Sequence, residues 1–535
     1  MFREMIITGA TLLHNHHPEI DALNVFPVPD GDTGTNMSLT FTNGASEIER
    51  LDSNDVSEIA KKFSKGLLMG ARGNSGVILS QIFRGVAKSF KGKSEVNVMD
   101  LAAAFEQGSK VAYKAVMRPV EGTILTVIRE ASEAGSAYVH EDMEIEEWFA
   151  YFVDAAQKSL DHTPELLPVL KEVGVVDSGG AGLVMVLTGF MMALAGEKIE
   201  RADIDAGKAE ENAALHNIEA AEAKKKFGFD VAVSFQIDEG KKKAFTKERF
   251  VNELERSGAS DIDVIQKDDV AKLTLTTTKP GPVLDLAQRY GTLGRISIKN
   301  LNDVDFDEPD GEAEKKDMAM IAVAAGEGVK STFLELNCDA VVAGGQTMNP
   351  ATEDLVAAIR DANADHVFVL PNNSNIVMTA QTAANVLEGE VDVVVIPTKS
   401  IPQGLSACIM YNPEGTVEDN VNDMTEAIAN VKTGQVTFAI KDTSIDGLEI
   451  KANNYMALCE KKIVACVPDK LDALKEALNG LIDDDSEVLT LICGEDVTDR
   501  EKAKAEVYIA KNFPNAELDL VDGQQPVYSF IIGVE

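Results

Sequence analysis

Several absences narrow this 535-residue sequence before any motif is read. Cysteine is scarce: Cys338, Cys408, Cys459, Cys466 and Cys493 are all there is, confined to the last 200 residues. An odd number without regular spacing suits reduced thiols better than a disulfide framework. Basic residues are in deficit, 50 Lys and Arg against 88 Asp and Glu, for a net charge of −38. A field of that sign repels nucleic acid and anionic membrane surfaces, so neither is an expected partner. Long apolar runs are missing as well. One long uncharged stretch, Ser178 to Gly196, carries five glycines. Its strongly apolar part, Leu183–Leu194, is shorter than the roughly 20 residues of a membrane span, so it is expected to be a buried central helix without stable membrane insertion. The apolar stretch near the N-terminus follows Arg3 and Glu4 and is broken by Thr and Gly, so no export signal is expected and the expected location is the cytoplasm.

What is present suffices for several packed domains, about three to four by length. Residues 1–200 read as all-helical: Val77–Ala87, Leu101–Val116, Ile124–Ala134 and Trp148–Leu160 space their apolar residues by threes and fours. Residues 201–227, rich in Ala, Glu, Lys and Asp, read as a solvated helical linker. Over 228–312 a small α+β domain is expected. Its strands are Val231–Ile237, Lys272–Thr278 and Arg295–Lys299, its helices Lys247–Ser257 and Val283–Tyr290, in an order that resembles a ferredoxin-like sandwich. Residues 316–535 form the next domain, and from about Lys316 short apolar strands (Met318–Ala324, Ala340–Val342, His366–Leu370, Val391–Ile396) alternate with helices, which predicts a mainly parallel sheet of these strands, covered on both faces. Further strands are expected near Gln435–Ala439, Ile463–Val467 and Val488–Ile492.

The chemistry concentrates in the helical region. In LNVFPVPDGDTGTNM (23–37), Asp30 and Asp32 flank one glycine, and Thr33 to Asn36 follow. Two carboxylates so close repel each other unless a cation lies between them, and no Lys or Arg occurs between Arg3 and Arg50. A hard divalent cation such as Mg²⁺ suits them and leaves positions for phosphate and water; an ordinary surface Asx turn is the competing reading. In GARGNSGVILSQIFRG (70–85), Gly73, Asn74, Ser75 and Gly76 precede an apolar helix whose N-terminus would suit phosphate, against the alternative of a plain helix cap at Ser75. Between Ile59 and Ser94 lie eight Lys or Arg and no acid. Two further loops, RPVEGT (118–123) and VVDSGGAG (175–182), repeat the pattern with Thr123, Asp177 and Gly180. Four such loops in one helical domain suggest a nucleotide site at one rim of a bundle. GEGVKST (326–332) fails as a phosphate loop, having Ala324 and Val329 where both glycines belong. His14, His16 and His17 read as the solvated end of the first helix rather than as metal ligands.

These blocks, with AVMRPVEGTILTVIREA and LPVLKEVGVVDSGGAGL, closely resemble the nucleotide-binding domain of bacterial fatty acid kinase catalytic subunits, the FakA or YloV-like family. That domain is similar to the DhaL subunit of dihydroxyacetone kinases, an eight-helix barrel. The resemblance continues through GGQTMNP (344–350), LPNNSNI (370–376), PTKSIPQG (397–404), CGEDVT (493–498) and DGQQPVY (522–528), and so spans nearly the whole chain. It implies ATP bound with Mg²⁺, Asp30 and Asp32 as metal ligands, and Asn24 at roughly the place of a third acid. Thr35, Asn36, Asn74, Ser75, Thr123 and Asp177 would surround the nucleotide, together with the glycines of the same loops. The acceptor would be a fatty acid held by a separate DegV-like carrier, and the DegV-like C-terminal domain its docking surface.

Transfer to a carboxylate already ionised at neutral pH needs no general base, only charge neutralisation and positioning, to which Arg72 is a candidate contributor. The middle domain departs from many relatives. Ala232, Thr274 and Thr276 stand where those carry a Cys and two His, so no metal or redox role carries over, and a spacer or homodimer contact is expected there. Two other functions fit less of the sequence: a kinase of dihydroxyacetone or another small hydroxyl compound, and a non-catalytic ATP-sensing scaffold.

Overall fold

A computed structural model describes residues 1–24, 31–202, 229–238, 241, 245–256, 259–267, 270–277, 279–300, 315–345, 348–439, 442–445, 447–460 and 462–535. The linker expected over 201–227 falls, apart from Arg201 and Ala202, outside the described residues. The chain forms two compact units, one of Met1–Ala202 with Glu314–Glu535, the other within Asp203–Ala313.

In the first unit the N-terminal part is all helix: α1 (Phe2–Leu23), α2 (Thr33–Glu49), α3 (Val56–Met69), α4 (Gly73–Ser89), α5 (Val98–Ala115), α6 (Ile124–Tyr138), α7 (Ile145–Leu166), a short α8 (Pro168–Val173) and α9 (Ser178–Leu194). Local chemistry sets the starts. Asp55 accepts from the Glu58 N–H to open α3, and Asn97 and Asp100 form a capping box on α5. The interior is filled by aromatic rings: Phe41 lies 5.1 Å from Phe63 and 5.3 Å from Phe83, and Phe83 5.9 Å from Phe190. Helix α9 is the buried central helix expected from its apolar run.

The crossing of α9 over α1 depends on two facing glycines. A Cβ on Gly189 would stand 2.6 Å from the Gly9 Cα, a backbone atom that cannot move aside. Gly189→Val is therefore expected to destabilise the helical domain by about 3 kcal/mol or more, read as a lowered thermal midpoint. An unchanged midpoint would show that the crossing can open at little cost.

The histidines differ from expectation. Helix α1 continues through them and through Pro18 to Leu23, which leaves His14 and His17 buried rather than at a solvated end. The His17 Nδ1 bonds the His14 carbonyl at 2.7 Å.

The second unit is a four-stranded antiparallel sheet of β1 (Phe229–Ile237), β2 (Ala259–Lys267), β3 (Val270–Thr277) and β4 (Gly291–Asn300), in the order β2-β3-β1-β4. With helices α10 (Lys247–Arg256) and α11 (Pro280–Tyr290) the sequence is βαββαβ, the ferredoxin-like arrangement. Strand β2, ASDIDVIQK, goes unnoticed in sequence because its apolar residues are few and its charges many. In the register, Ala232 pairs with Thr274.

The C-terminal part of the first unit opens with β5 (Lys316–Ala324), β6 (Ala340–Ala343), β7 (Ala364–Leu370) and β8 (Asp392–Val395), all parallel in the order β6-β5-β7-β8. Helices α12 (Glu327–Glu335), α13 (Thr352–Asp361) and α14 (Val377–Val386) provide the crossovers. The six-stranded sheet that follows is mainly antiparallel. Its six strands, Lys462–Val467, Tyr455–Cys459, Lys432–Phe438, Tyr528–Val534, Val488–Cys493 and Glu517–Asp522 in spatial order, contain one parallel pair, the last two. Tyr455–Cys459 and Lys462–Val467 are joined by a turn too short for anything but an antiparallel return.

Candidate functional site

Helices α2, α4 and α9 begin at one rim of the helical domain, and small residues allow it. A Cβ on Gly34 would stand 2.2 Å from the His17 carbonyl, which seats the start of α2 on α1. On Gly76 it would stand 2.4 Å from Thr40 Oγ1, and on Gly182 2.6 Å from Met37 Sδ, so α4 and α9 both pack against the first turns of α2. Helix N-termini gathered in this way turn free N–H groups and positive dipole ends toward one region, a setting for anionic groups.

Asp32 is the N-cap of α2 and is buried. Its Oδ2 accepts a hydrogen bond from Asn349 Nδ2 at 2.6 Å, and the Asn36 side chain donates to it as well. Burial pushes the Asp32 carboxyl up to about 6; the Asn36 and Asn349 amides pull it down, and nearby Asp21 pushes it further up. Asp21, in the last turn of α1, accepts from the Thr35 N–H at 3.0 Å and from Thr35 Oγ1 at 2.7 Å. Burial raises its carboxyl too, against the lowering effect of Thr35. Asn24 is the buried C-cap of α1, its N–H bonded to the Asp21 carbonyl.

Two buried acids thus face each other's field, and among the described residues no Lys or Arg is ion-paired to either. The buried amide oxygens of Asn74 and Asn349 have no hydrogen-bond partner among the described residues. Such a donor set, carboxylate and amide oxygens with no Lys or Arg paired to the acids among the described residues, fits a hard divalent cation. Asp30, the other expected acid, lies outside the described residues, among which no group of three or more His, Cys, Asp or Glu is gathered as a metal site.

The second loop meets the first. Gly73 has φ +58, and a Cβ there would stand 2.9 Å from Asn36 Nδ2. Arg72, the N-cap of α4, donates its backbone N–H to Thr40 Oγ1 at 3.1 Å. Its guanidinium donates to the Asn349 carbonyl at 2.8 Å and lies 3.9 Å from Asp354. Asn74 Nδ2 donates to Asn375 Oδ1 at 3.1 Å, and Ser75 and Gly76 complete the first turn of α4. The structure therefore brings Asp32, Thr35, Asn36, Arg72, Gly73 and Asn74 together.

Thr123, Asp177 and Gly180 form a neighbouring cluster with a capping role. Asp177 accepts from the Gly180 N–H at 2.7 Å and caps α9, while Thr123 caps α6. Burial pushes the Asp177 carboxyl up to about 6, opposed by backbone bonds from Gly180 and Ile124. The basic run of 59–94 disperses: Lys62 pairs with Glu47, Lys93 with Asp100, and Arg84 and Lys88 line a polar groove of about 320 Å³ with Lys114 and Gln381.

Three contributors escape the sequence reading: Asp21, Asn349 and Asn375. Asp21 carried a signal, an acid in the last turn of a helix, where the dipole disfavours negative charge. Asn349 and Asn375 lie in the blocks GGQTMNP and LPNNSNI of the C-terminal region, where nothing local ties them to a site in the helical domain.

Comparison with known proteins defines the class. Residues 27–192 match the DAK2 domain, 226–305 the middle domain of FakA-like fatty acid kinases, and 319–535 the C-terminal domain of the same FakA-like family. Protein YloV of Bacillus subtilis is 42% identical over 548 residues, covering 100% of this chain and 98% of YloV. An uncharacterized protein of Staphylococcus aureus is also 42% identical, over 543 residues, with 100% and 98% covered. The chain belongs to the FakA-like family that includes YloV, and its domains are those of a phosphotransferase family. Among solved structures, a dihydroxyacetone kinase from C. freundii in complex with AMP-PNP and Mg²⁺ is 21% identical over 36% of this chain and 33% of that one, with a TM-score of 0.29. A DegV family protein from Corynebacterium glutamicum is 11% identical over 41% of this chain and 96% of that one, with a TM-score of 0.31. Scores of this size assign nothing by themselves. No helix among the described residues is long and apolar enough to cross a membrane.

Proposed function

We propose that the chain is an ATP- and Mg²⁺-dependent kinase that transfers the γ-phosphoryl group to the carboxylate of a fatty acid presented by a separate DegV-like carrier. The observation that carries this reading is the buried Asp32–Asp21 pair, to which no Lys or Arg is ion-paired among the described residues, at a rim where α2, α4 and α9 begin. Asp30 and Asp32 hold Mg²⁺ in this proposal, with Asn24 beside them. Asn36, Gly73, Asn74, Ser75 and Gly76 line the phosphates, and Thr35 braces α2 against Asp21. Thr123, Asp177 and Gly180 shape the adjoining wall by holding the starts of α6 and α9. Mg²⁺, when bound, neutralises phosphate charge. Arg72 adds a fixed positive charge at the start of α4. The acceptor carboxylate is already ionised, so no residue need remove a proton. Residues 1–200 serve as the kinase domain, 228–312 as a spacer or homodimer contact, and 316–535 as the carrier-docking domain, in the cytoplasm.

The test uses the full-length chain, ATP, Mg²⁺ and a DegV-like carrier loaded with fatty acid, with hydroxylamine to trap acyl phosphate. Acyl hydroxamate forming in step with ADP is the expected result. ADP released without hydroxamate, or phosphorylation of dihydroxyacetone instead, would sink the proposal.

A further inference from the structure

The loop between β6 and α13 belongs to the C-terminal region, yet it is fastened to the rim of the helical domain. The Thr352 N–H donates to the Ala71 carbonyl at 3.1 Å, Arg72 reaches the Asn349 carbonyl at 2.8 Å, and Asp354 lies 3.9 Å from the same guanidinium. These contacts hold Asn349, 2% exposed, with its amide on Asp32 Oδ2 at 2.6 Å.

The geometry points to Asn349 as a positioning residue for the metal–nucleotide site, supplied by the C-terminal region to a carboxylate of the helical domain. This inference rests on the proposal that Asp32 holds Mg²⁺. Asp32 must be correctly turned to hold a cation, and its carboxylate is buried at the start of α2. Two amides, those of Asn36 and Asn349, donate to it and fix its orientation. Asn36 sits one turn along the same helix and moves with it. Asn349 is anchored 317 residues away in sequence, so it fixes Oδ2 from outside the helix and leaves the remaining lone pairs for a cation. Its own amide oxygen, buried and without a hydrogen-bond partner among the described residues, is a second hard acceptor beside Asp32. Partners of this kind, which orient a metal-binding carboxylate, typically account for about 10- to 100-fold in metal affinity.

The experiment measures Mn²⁺ binding by electron paramagnetic resonance in the full-length chain, with AMP-PNP present, for the unaltered protein, Asn349→Ala and Asn349→Leu. The second variant keeps the side-chain volume without the donor, should the first fail to fold. The expected result is an Mn²⁺ dissociation constant raised about 10- to 100-fold in a folded variant, with near-normal turnover restored at high Mg²⁺. A folded variant that binds Mn²⁺ within about twofold of the unaltered chain would overturn the role of Asn349 and leave the Asp32 proposal standing. Failure of the unaltered chain to bind Mn²⁺ with nucleotide would instead remove the Asp32 proposal, and this inference with it.

Discussion

Asp32→Asn is expected to lower Mg²⁺-dependent phosphoryl transfer by about 10³-fold or more while raising the thermal stability of the metal-free chain. The loss follows from removing a charge that a divalent cation requires; a site worth several kcal/mol in charge stabilisation corresponds to a factor of that size. The gain follows from linkage. The folded-state carboxyl is raised to about 6 from an ordinary 3.8, so the folded chain binds the Asp32 proton more tightly than the unfolded chain does. The group's contribution to stability is therefore full below about pH 4 and is lost as pH rises through 6. At pH 7.5 ionised Asp32 costs on the order of 1–3 kcal/mol, and an uncharged amide escapes that cost. Melting curves at pH 7.5 and pH 4 check this: the variant should gain at the first and show little gain at the second. Turnover near the unaltered rate would sink the metal assignment, and Asp30→Ala should lose turnover in the same way.

Without a carrier, the full-length chain is expected to convert free fatty acid to acyl phosphate at less than about one hundredth of the rate reached with a loaded DegV-like carrier. An acyl chain must be sheltered while its carboxylate reacts. Burial is worth about 0.8 kcal/mol per CH₂, so four methylenes left in water already cost about 3 kcal/mol, about a hundredfold. The centre of the helical domain, among the described residues, is filled by Phe41, Phe63, Phe83 and Phe190, which pack ring against ring in full burial. The groove beside α4 is lined by Gln81, Arg84, Lys88 and Lys114, a setting for polar groups rather than a hydrocarbon tail. Hydroxamate formation at equal rates with and without carrier would show that the chain houses the tail itself.

Much of the architecture was legible because it is locally encoded. Apolar spacing by threes and fours marked Val77–Ala87 and Trp148–Leu160, and both lie inside observed helices. The βα alternation of Met318–Ile396 marked a parallel sheet, and the order of elements in the middle domain marked a ferredoxin-like unit even with β2 unrecognised. Strands such as Glu517–Asp522 leave no clear apolar pattern in the sequence because charged residues on their exposed face interrupt it. At the site, Asp32, Asn36, Gly73 and Asn74 could be singled out because acids, amides and glycines ahead of apolar helices leave a trace within a few residues.

By itself, then, the sequence determined the helices, most strands and the loops in which polar groups collect. Local rules suffice for these, since periodicity and capping act over one or two turns. Only the tertiary structure decided that Asp21 faces Asp32, that Arg72 turns its guanidinium to the Asn349 carbonyl, and that the Asn349 amide rests on a carboxylate 317 residues away. Those contacts arise from the docking of whole surfaces, α2 against α1 and the β6–α13 loop against the start of α4. No pattern within either segment specifies its partner, because complementarity between distant surfaces exists only once both have folded.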